Sequence, residues 1–156
     1  MEAFTAMPHV ETILLATDLT GASAAATDQA IDLAVRLDVK LLVVTVIEPA
    51  KVAGPGRRGS DRKPRDVRAR EAQAVVNRAR AEGADARFLI WEGDPGDGIV
   101  AAADAEGADL IIVGTHGRST VGRFLLGSVS DHVVHRAGCP VLVVRQAEDE
   151  LPPPLN

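Results

Sequence analysis

DLIIVGTHGRSTVGRFLLGS, residues 109–128, opens as a continuous apolar run and turns at Gly114 into a loop with four glycines, two arginines, one histidine and no acid. A short unbroken apolar run that does not alternate with polar residues reads as a strand covered on both faces. Four other runs have the same character: ETILLAT at 11–17, KLLVVTVI at 40–47, ARFLIWE at 86–92 and PVLVVR at 140–145. Such strands belong to parallel sheets buried between helices, and the intervening sequence supplies the helices.

Ala26, Ala30, Leu33 and Leu37 recur at helical spacing after the first run, and Ala72, Val75, Val76 and Ala79 do so after the second. Asp94-Pro95 places an N-cap before a first-turn proline, and Gly107 can end the helix it starts. Val129, Val133, Val134 and Ala137 mark a last helix, with Ser128 as its expected cap and Asp131 at the capping-box position; Thr20 or Ser23 is the expected cap of the first helix. Gly83 is expected to end the second. Strand and helix therefore alternate throughout. The pattern predicts an α/β fold, a doubly wound open five-stranded parallel sheet with right-handed crossovers and helices on both faces.

Length and composition bound the rest. With 156 residues, 46% hydrophobic and 25% charged, the chain suits a single domain over residues 1–146. The sequence has neither a basic leader followed by an apolar stretch nor a run approaching the ~18 apolar residues of a membrane span, so no membrane role is expected and a cytoplasmic location is the default. Cys139 is the sole cysteine, which leaves no internal disulfide and suggests small core packing. Residues 48–64 read as a mobile loop and 147–156, with its acidic run and three prolines, as a disordered tail.

The net charge of −5 hides an asymmetry: residues 51–70 hold eight basic side chains against Asp61 and Asp66. Nucleic-acid surfaces usually pair such a patch with stacking aromatics or a reading helix, and this stretch has no aromatic, so no nucleic-acid partner is expected. Within it, GPGRRG at 54–59 matches the dinucleotide expression G-x-G-x-x-G but neither follows a strand directly nor opens a helix. The chain lacks a G-x-x-x-x-G-K-[ST] phosphate loop and a G-x-S-x-G elbow.

Three constellations remain. His132, His135 and Cys139 have spacing a metal could use, but exposed helix-face histidines explain them as well, and no metal site is expected there. Asp94 and Asp97 form a carboxylate pair on paper, whereas a cap and a first-turn acid account for both. Asp18 follows the carboxyl end of the first strand, where open parallel sheets bind ligands, and both a turn role and ligand contact stay open.

In a sheet wound both ways from its first strand, the first and fourth strands are neighbours at the switch point, so Asp18 and Gly114 should face one crevice. Gly114 and Gly117 lack Cβ atoms and can take positive φ, while Gly127-Ser128 opens a helix whose free amides and dipole favour an anion. Two amide clusters suit a polyphosphate. A corner turned by glycines, with Ser128 as an ordinary cap, fits the chemistry equally.

The full spacing G-x2-G-x9-G-[ST], met by Gly114, Gly117, Gly127 and Ser128, resembles the ATP-binding branch of the universal stress protein family. ILLATD at 13–18, VTVIEP at 44–49 and GCPVLVV at 138–144 are similar to that family's first, second and last strands. The resemblance spans residues 11–145 and implies strand order 3-2-1-4-5. It implies that Ala16, Thr17, Asp18 and Val46 line the adenine and ribose end, that Gly114, Thr115, His116, Gly117, Arg118, Ser119 and Thr120 wrap ribose and phosphates, and that Gly127, Ser128, Val129 and Ser130 hold phosphates, with Mg²⁺ nearby.

The family often has His where Thr45 stands, and the segment after Pro49 is unusually basic. The expected function is an ATP-dependent signalling module in stress response with slow or no hydrolysis, acting on an unknown protein partner. The enzyme alternative would use His116 and Asp18 in the same crevice; a third reading is a nucleotide-free interaction protein. Val141, Leu142, Val143 and Val144 would form an apolar edge strand, and both edge physics and the resemblance imply a homodimer through it.

Overall fold

Five parallel strands carry the molecule: β1 (Thr12–Ala16), β2 (Lys40–Ile47), β3 (Asp85–Glu92), β4 (Leu110–Thr115) and β5 (Val141–Arg145). A computed structural model describes residues 9–49, 64–115 and 127–146. The strands form one sheet in the order β3-β2-β1-β4-β5, as expected, with Ala16 level with Val44 on one side and Val113 on the other. Centrality explains the composition of β1, whose Ile13, Leu14 and Leu15 are 0% exposed. A residue in the middle strand has helices above and below it, so no position can be polar.

Among the described residues four helices flank the sheet: α1 (Ala24–Leu37, entered through a 3-10 turn at Gly21–Ser23), α2 (Arg65–Ala81), α3 (Pro95–Glu106) and α4 (Ser128–Arg136). Ala26, Ala30, Ile31 and Ala34 of α1 and Val76 and Ala79 of α2 pack with Ile13, Leu15, Leu41 and Val43 on one face. Ile99, Ala102 and Ala103 of α3 and Val133 of α4 pack with Leu14, Leu42, Val44, Ile111 and Val113 on the other. The face changes because the chain reverses its direction of travel across the sheet after β3, and crossovers of one hand then deliver the later helices to the opposite side. Among the described residues no helix is long and apolar enough to cross a membrane.

Several local expectations need correction. The buried stripe of α1 is Ala26, Thr27, Ala30, Ile31 and Ala34; Leu33 is half-buried, and Leu37 is 51% exposed because the last turn ends at the left-handed Asp38. Neither Thr20 nor Ser23 caps a helix through its side chain, since both hydroxyls donate to Asp18. Ser128 is the first residue of α4 and Gly127 its N-cap, with no side-chain cap bond. Asp131 is therefore one position beyond the capping box. Asp94 does cap α3, accepting from the Asp97 amide at 3.2 Å, with Pro95 following it, and Gly107 ends the helix at φ 66°. Past the end of α2, Gly83 takes φ 103°, a value that favours glycine.

Candidate functional site

The carboxyl ends of β1, β2 and β4 open onto a crevice of about 390 Å³. Such a volume falls in the ~300–1,000 Å³ range of small-molecule sites. Its position follows from topology: β1 leads outward to β2 and, on its other side, borders β4, so the connections leave in opposite directions and part at this edge.

The wall after β1 is a tight turn. Asp18 Oδ1 accepts from the Thr20 amide at 2.9 Å, the Thr20 hydroxyl at 2.7 Å and the Ser23 hydroxyl at 2.6 Å. Thr17 Oγ1 accepts from the Leu19 amide at 2.9 Å, which helps hold Leu19 at φ 63°. Left-handed backbone at a branched residue is costly, and it persists here because these side chains fix the turn. Sequence reasoning left Asp18 open between turn and ligand. The structure shows the turn role in full and also places Asp18 on the crevice wall.

The opposite wall combines the end of β4 with the start of α4. Gly114 lies within β4, and its φ is outside the left-handed region, contrary to the expectation of a positive-φ turn. A Cβ there would make ordinary van der Waals contacts, 3.4 Å from Ala26 Cβ and 3.9 Å from the Ala22 carbonyl oxygen. The Gly114 carbonyl accepts from Ser130 Oγ at 2.8 Å, tying strand to helix. Within α4 the first backbone bond runs from the Asp131 amide to the Gly127 carbonyl, so the amides of Ser128, Val129 and Ser130 precede the helical ladder. These amides and the aligned peptide dipoles make this end of the crevice favourable to anions.

Of the residues expected to bind a ligand, Ala16, Thr17, Asp18, Val46, Gly114, Gly127, Ser128, Val129 and Ser130 line this single crevice. Thr115 ends β4, level with Arg145, and does not line it. His116, Gly117, Arg118, Ser119 and Thr120 lie outside the described residues, as does the 54–59 glycine segment. The crevice also takes in Ser23, Val44, Ile47, Glu48, Arg68, Pro95, Ile99 and Val113, which sequence reasoning did not select. Val44 and Val113 were hidden by looking like ordinary strand residues. Arg68 was hidden inside a basic stretch that read as a solvated loop, although it sits on α2 and is half-buried.

The other constellations separate. His132 Nε2 pairs with Asp97 Oδ1 at 2.7 Å, and His135 Nδ1 donates to the Asp131 carbonyl at 2.7 Å. Cys139 packs at the edge of the α3–α4 core, where burial, and after it the carboxylates of Asp104 and Asp109, push its thiol above the ordinary pKa. Among the described residues no three His, Cys, Asp or Glu side chains are grouped to hold a metal.

Fold, crevice and glycine spacing point to one family, and residues 9–145 match the universal stress protein family. The chain belongs to that family. A universal stress protein of Methanocaldococcus jannaschii is 32% identical to it over 142 residues, covering 88% of this chain and 84% of that one. A universal stress protein solved in complex with cAMP is 32% identical, with a TM-score of 0.66 over 87% of this chain and 97% of the other. A third universal stress protein, from Archaeoglobus fulgidus, is 27% identical with a TM-score of 0.69, covering 86% and 98% of the two chains.

Proposed function

We propose that this universal stress protein binds ATP in the crevice between β1, β2 and β4 and works as a nucleotide-dependent regulatory module. The carrying observation is that nine residues from separate stretches of the sequence, the end of β1, Val46, Gly114 and residues 127–130, line one cavity. The anion-favouring start of α4 suits the phosphates, and the apolar side chains of Ala16, Val44, Val46 and Ile99 suit the base. That a relative of 32% identity was solved with cAMP supports an adenine nucleotide as the ligand.

Mg²⁺ would enter on the phosphates, because the described residues offer no carboxylate cage and this ion commonly keeps several waters while bridging phosphate oxygens. Hydrolysis is slow or absent in this reading. Phosphoryl transfer needs cations on the terminal phosphate and an aligned water, and among the described lining residues the one cation is Arg68, whose NH1 is bonded to Thr45 of β2. The nucleotide then acts as a signal read by a protein partner, in the cytoplasm, from a homodimer joined along β5.

Titration calorimetry with ATP and Mg²⁺ tests the core of this reading, with wild type expected to bind and Gly117→Val expected to lose binding. With one tryptophan and no tyrosine the protein absorbs weakly near the aromatic band, so co-purified nucleotide would stand out in its ultraviolet spectrum. A clean spectrum together with no heat of binding would overturn the proposal. A turnover in the ~1–100 s⁻¹ range of kinases would overturn the regulatory part.

A further inference from the structure

Pro95 and Ile99, in the first two turns of α3, line the crevice together with Ser128, Val129 and Ser130 of α4. Two helices that start at one crevice must keep a fixed spacing if their residues are to form one binding surface. Their backbone hydrogen bonds cannot set it, because each helix satisfies its own. The spacing falls to the side chains between them.

The seam between α3 and α4 closes on His132. Its ring lies so near Gly96 that a Cβ on Gly96 would stand 2.7 Å from Cδ2 and 2.8 Å from Cγ. Glycine is unfavourable in a helix relative to alanine, and here it is what admits the ring. On the next residue, His132 Nε2 donates to Asp97 Oδ1 at 2.7 Å. Asp97 is itself anchored, since its amide donates to the carboxylate of the N-cap Asp94. His135, one turn on, bonds within its own helix to the Asp131 carbonyl.

The same turn of α3 is tight on its other side. A Cβ on Gly98 would stand 2.8 Å from Val46 Cγ1, and Val46 is also a crevice residue. With no slack toward β2, the place of α3 is set by what presses on it from α4. Gly96 and Asp97 directly follow Pro95, and His132 stands two residues past Ser130, so the seam borders the crevice on both helices.

We infer that His132 is a positioning residue for the nucleotide: seated on Gly96 and bonded to Asp97, it holds the start of α3 against the start of α4, so that Pro95, Ile99 and residues 128–130 can contact one ligand. The inference rests on the nucleotide-binding reading and deepens it. His132 is not among the residues that line the crevice, so it acts through the two helices. A binding surface needs supporting contacts that hold it to within about 0.5 Å, whereas a partly exposed ion pair adds little to folding by itself. The effect of this contact is therefore expected mainly in affinity.

The test is calorimetry of ATP with Mg²⁺ on the full chain, for wild type, His132→Ala, His132→Gln, Gly96→Ala and the double variant of Gly96→Ala with His132→Ala. His132→Ala should weaken ATP by about three- to tenfold, the scale of coupling between residues in contact. His132→Gln, whose planar amide can donate from the place of Nε2, should bind within about twofold of wild type. Gly96→Ala, which forces the ring away, should weaken ATP by a similar factor to His132→Ala. The double variant should be no weaker than the worse of its singles, because both changes remove one contact.

Unchanged ATP binding in His132→Ala would overturn the inference while leaving nucleotide binding intact. Equal losses in His132→Gln and His132→Ala would overturn it too, as would losses that add in the double variant. Urea midpoints without nucleotide complete the test: affinities that follow the midpoint across the set, rather than the donor at position 132, would also overturn it. The two His132 variants decide the matter even where Gly96→Ala fails to fold. Wild type that binds no ATP would overturn the nucleotide reading itself.

Discussion

Ser130 Oγ donates to the Gly114 carbonyl at 2.8 Å, joining the last part of β4 to the first turn of α4 across sixteen residues of sequence. The bond fixes the distance between the two halves of the glycine motif without depending on the loop that connects them. The helix it reaches starts without a side-chain cap, with Gly127 at the N-cap position.

Ser130→Ala should therefore cost about 1 kcal/mol of stability, the net worth of one buried hydrogen bond, and more if the Gly114 carbonyl is left unsatisfied. Urea denaturation gives the first quantity. Calorimetry gives the second expected effect, a weaker nucleotide, since strand end and helix start are no longer held in register. An unchanged affinity would show that the spacing is maintained by packing alone.

Asp18 offers a cleaner separation of turn from ligand. In Asp18→Asn the amide oxygen can still accept from Thr20 and Ser23, so folding stability should stay near wild type. In Asp18→Ala the hydroxyl of Ser23, a buried residue, loses its acceptor, at a cost of roughly 1–3 kcal/mol. Equal stability in the two variants would mean that the turn is held by Thr17 and the backbone.

Gly98 sits where α3 passes over β2, and a Cβ there would stand 2.8 Å from Val46 Cγ1 and 3.2 Å from the Trp91 ring. Val46 is β-branched and stiff at χ1, so it cannot simply swing aside. Gly98→Ala should lower stability by about 1–3 kcal/mol and shift the Trp91 emission, with Val46 pushed toward the crevice. Gly21→Ala, which meets nothing within 4 Å, is the control expected to leave both unchanged.

Cys139 gives a pH dependence whose direction follows from its surroundings. The folded state holds the thiol proton more tightly than the unfolded chain does, through burial first and then Asp104 and Asp109. The stabilisation is therefore complete below the ordinary thiol pKa and is lost as pH rises through the higher folded value. Thiol modification should be slower in native than in urea-unfolded protein at mildly alkaline pH, and Cys139→Ala should flatten the alkaline fall in stability. A native rate equal to the unfolded one would contradict the placement of the thiol.

The edge strand β5 sharpens the test of assembly. Val141 and Val143 pack toward the α3–α4 core and Val144 toward the α1 side, while Leu142 is 37% exposed. A charge at Val143 would disturb folding as well as association, so Leu142→Lys is the better probe. Sedimentation should find a dimer in wild type and a monomer in this variant. An unchanged mass would remove the β5 interface.

Sequence alone determined the strands, their parallel arrangement and the crevice edge, because continuous apolar runs such as 13–16 and 110–113 have only one common explanation, burial on both faces. It also determined the cap at Asp94-Pro95 and the stop at Gly107, where local chemistry is enough. Tertiary structure decided what depends on competition between partners distant in sequence. Ser23 and Thr20 went to Asp18, Ser130 went to Gly114, and Leu37 was left outside by the helix end at Asp38. Arg68 shows the limit most directly: a linear pattern of charges cannot tell which arginine on a helix turns inward, since that is set by where α2 lies against the end of β2.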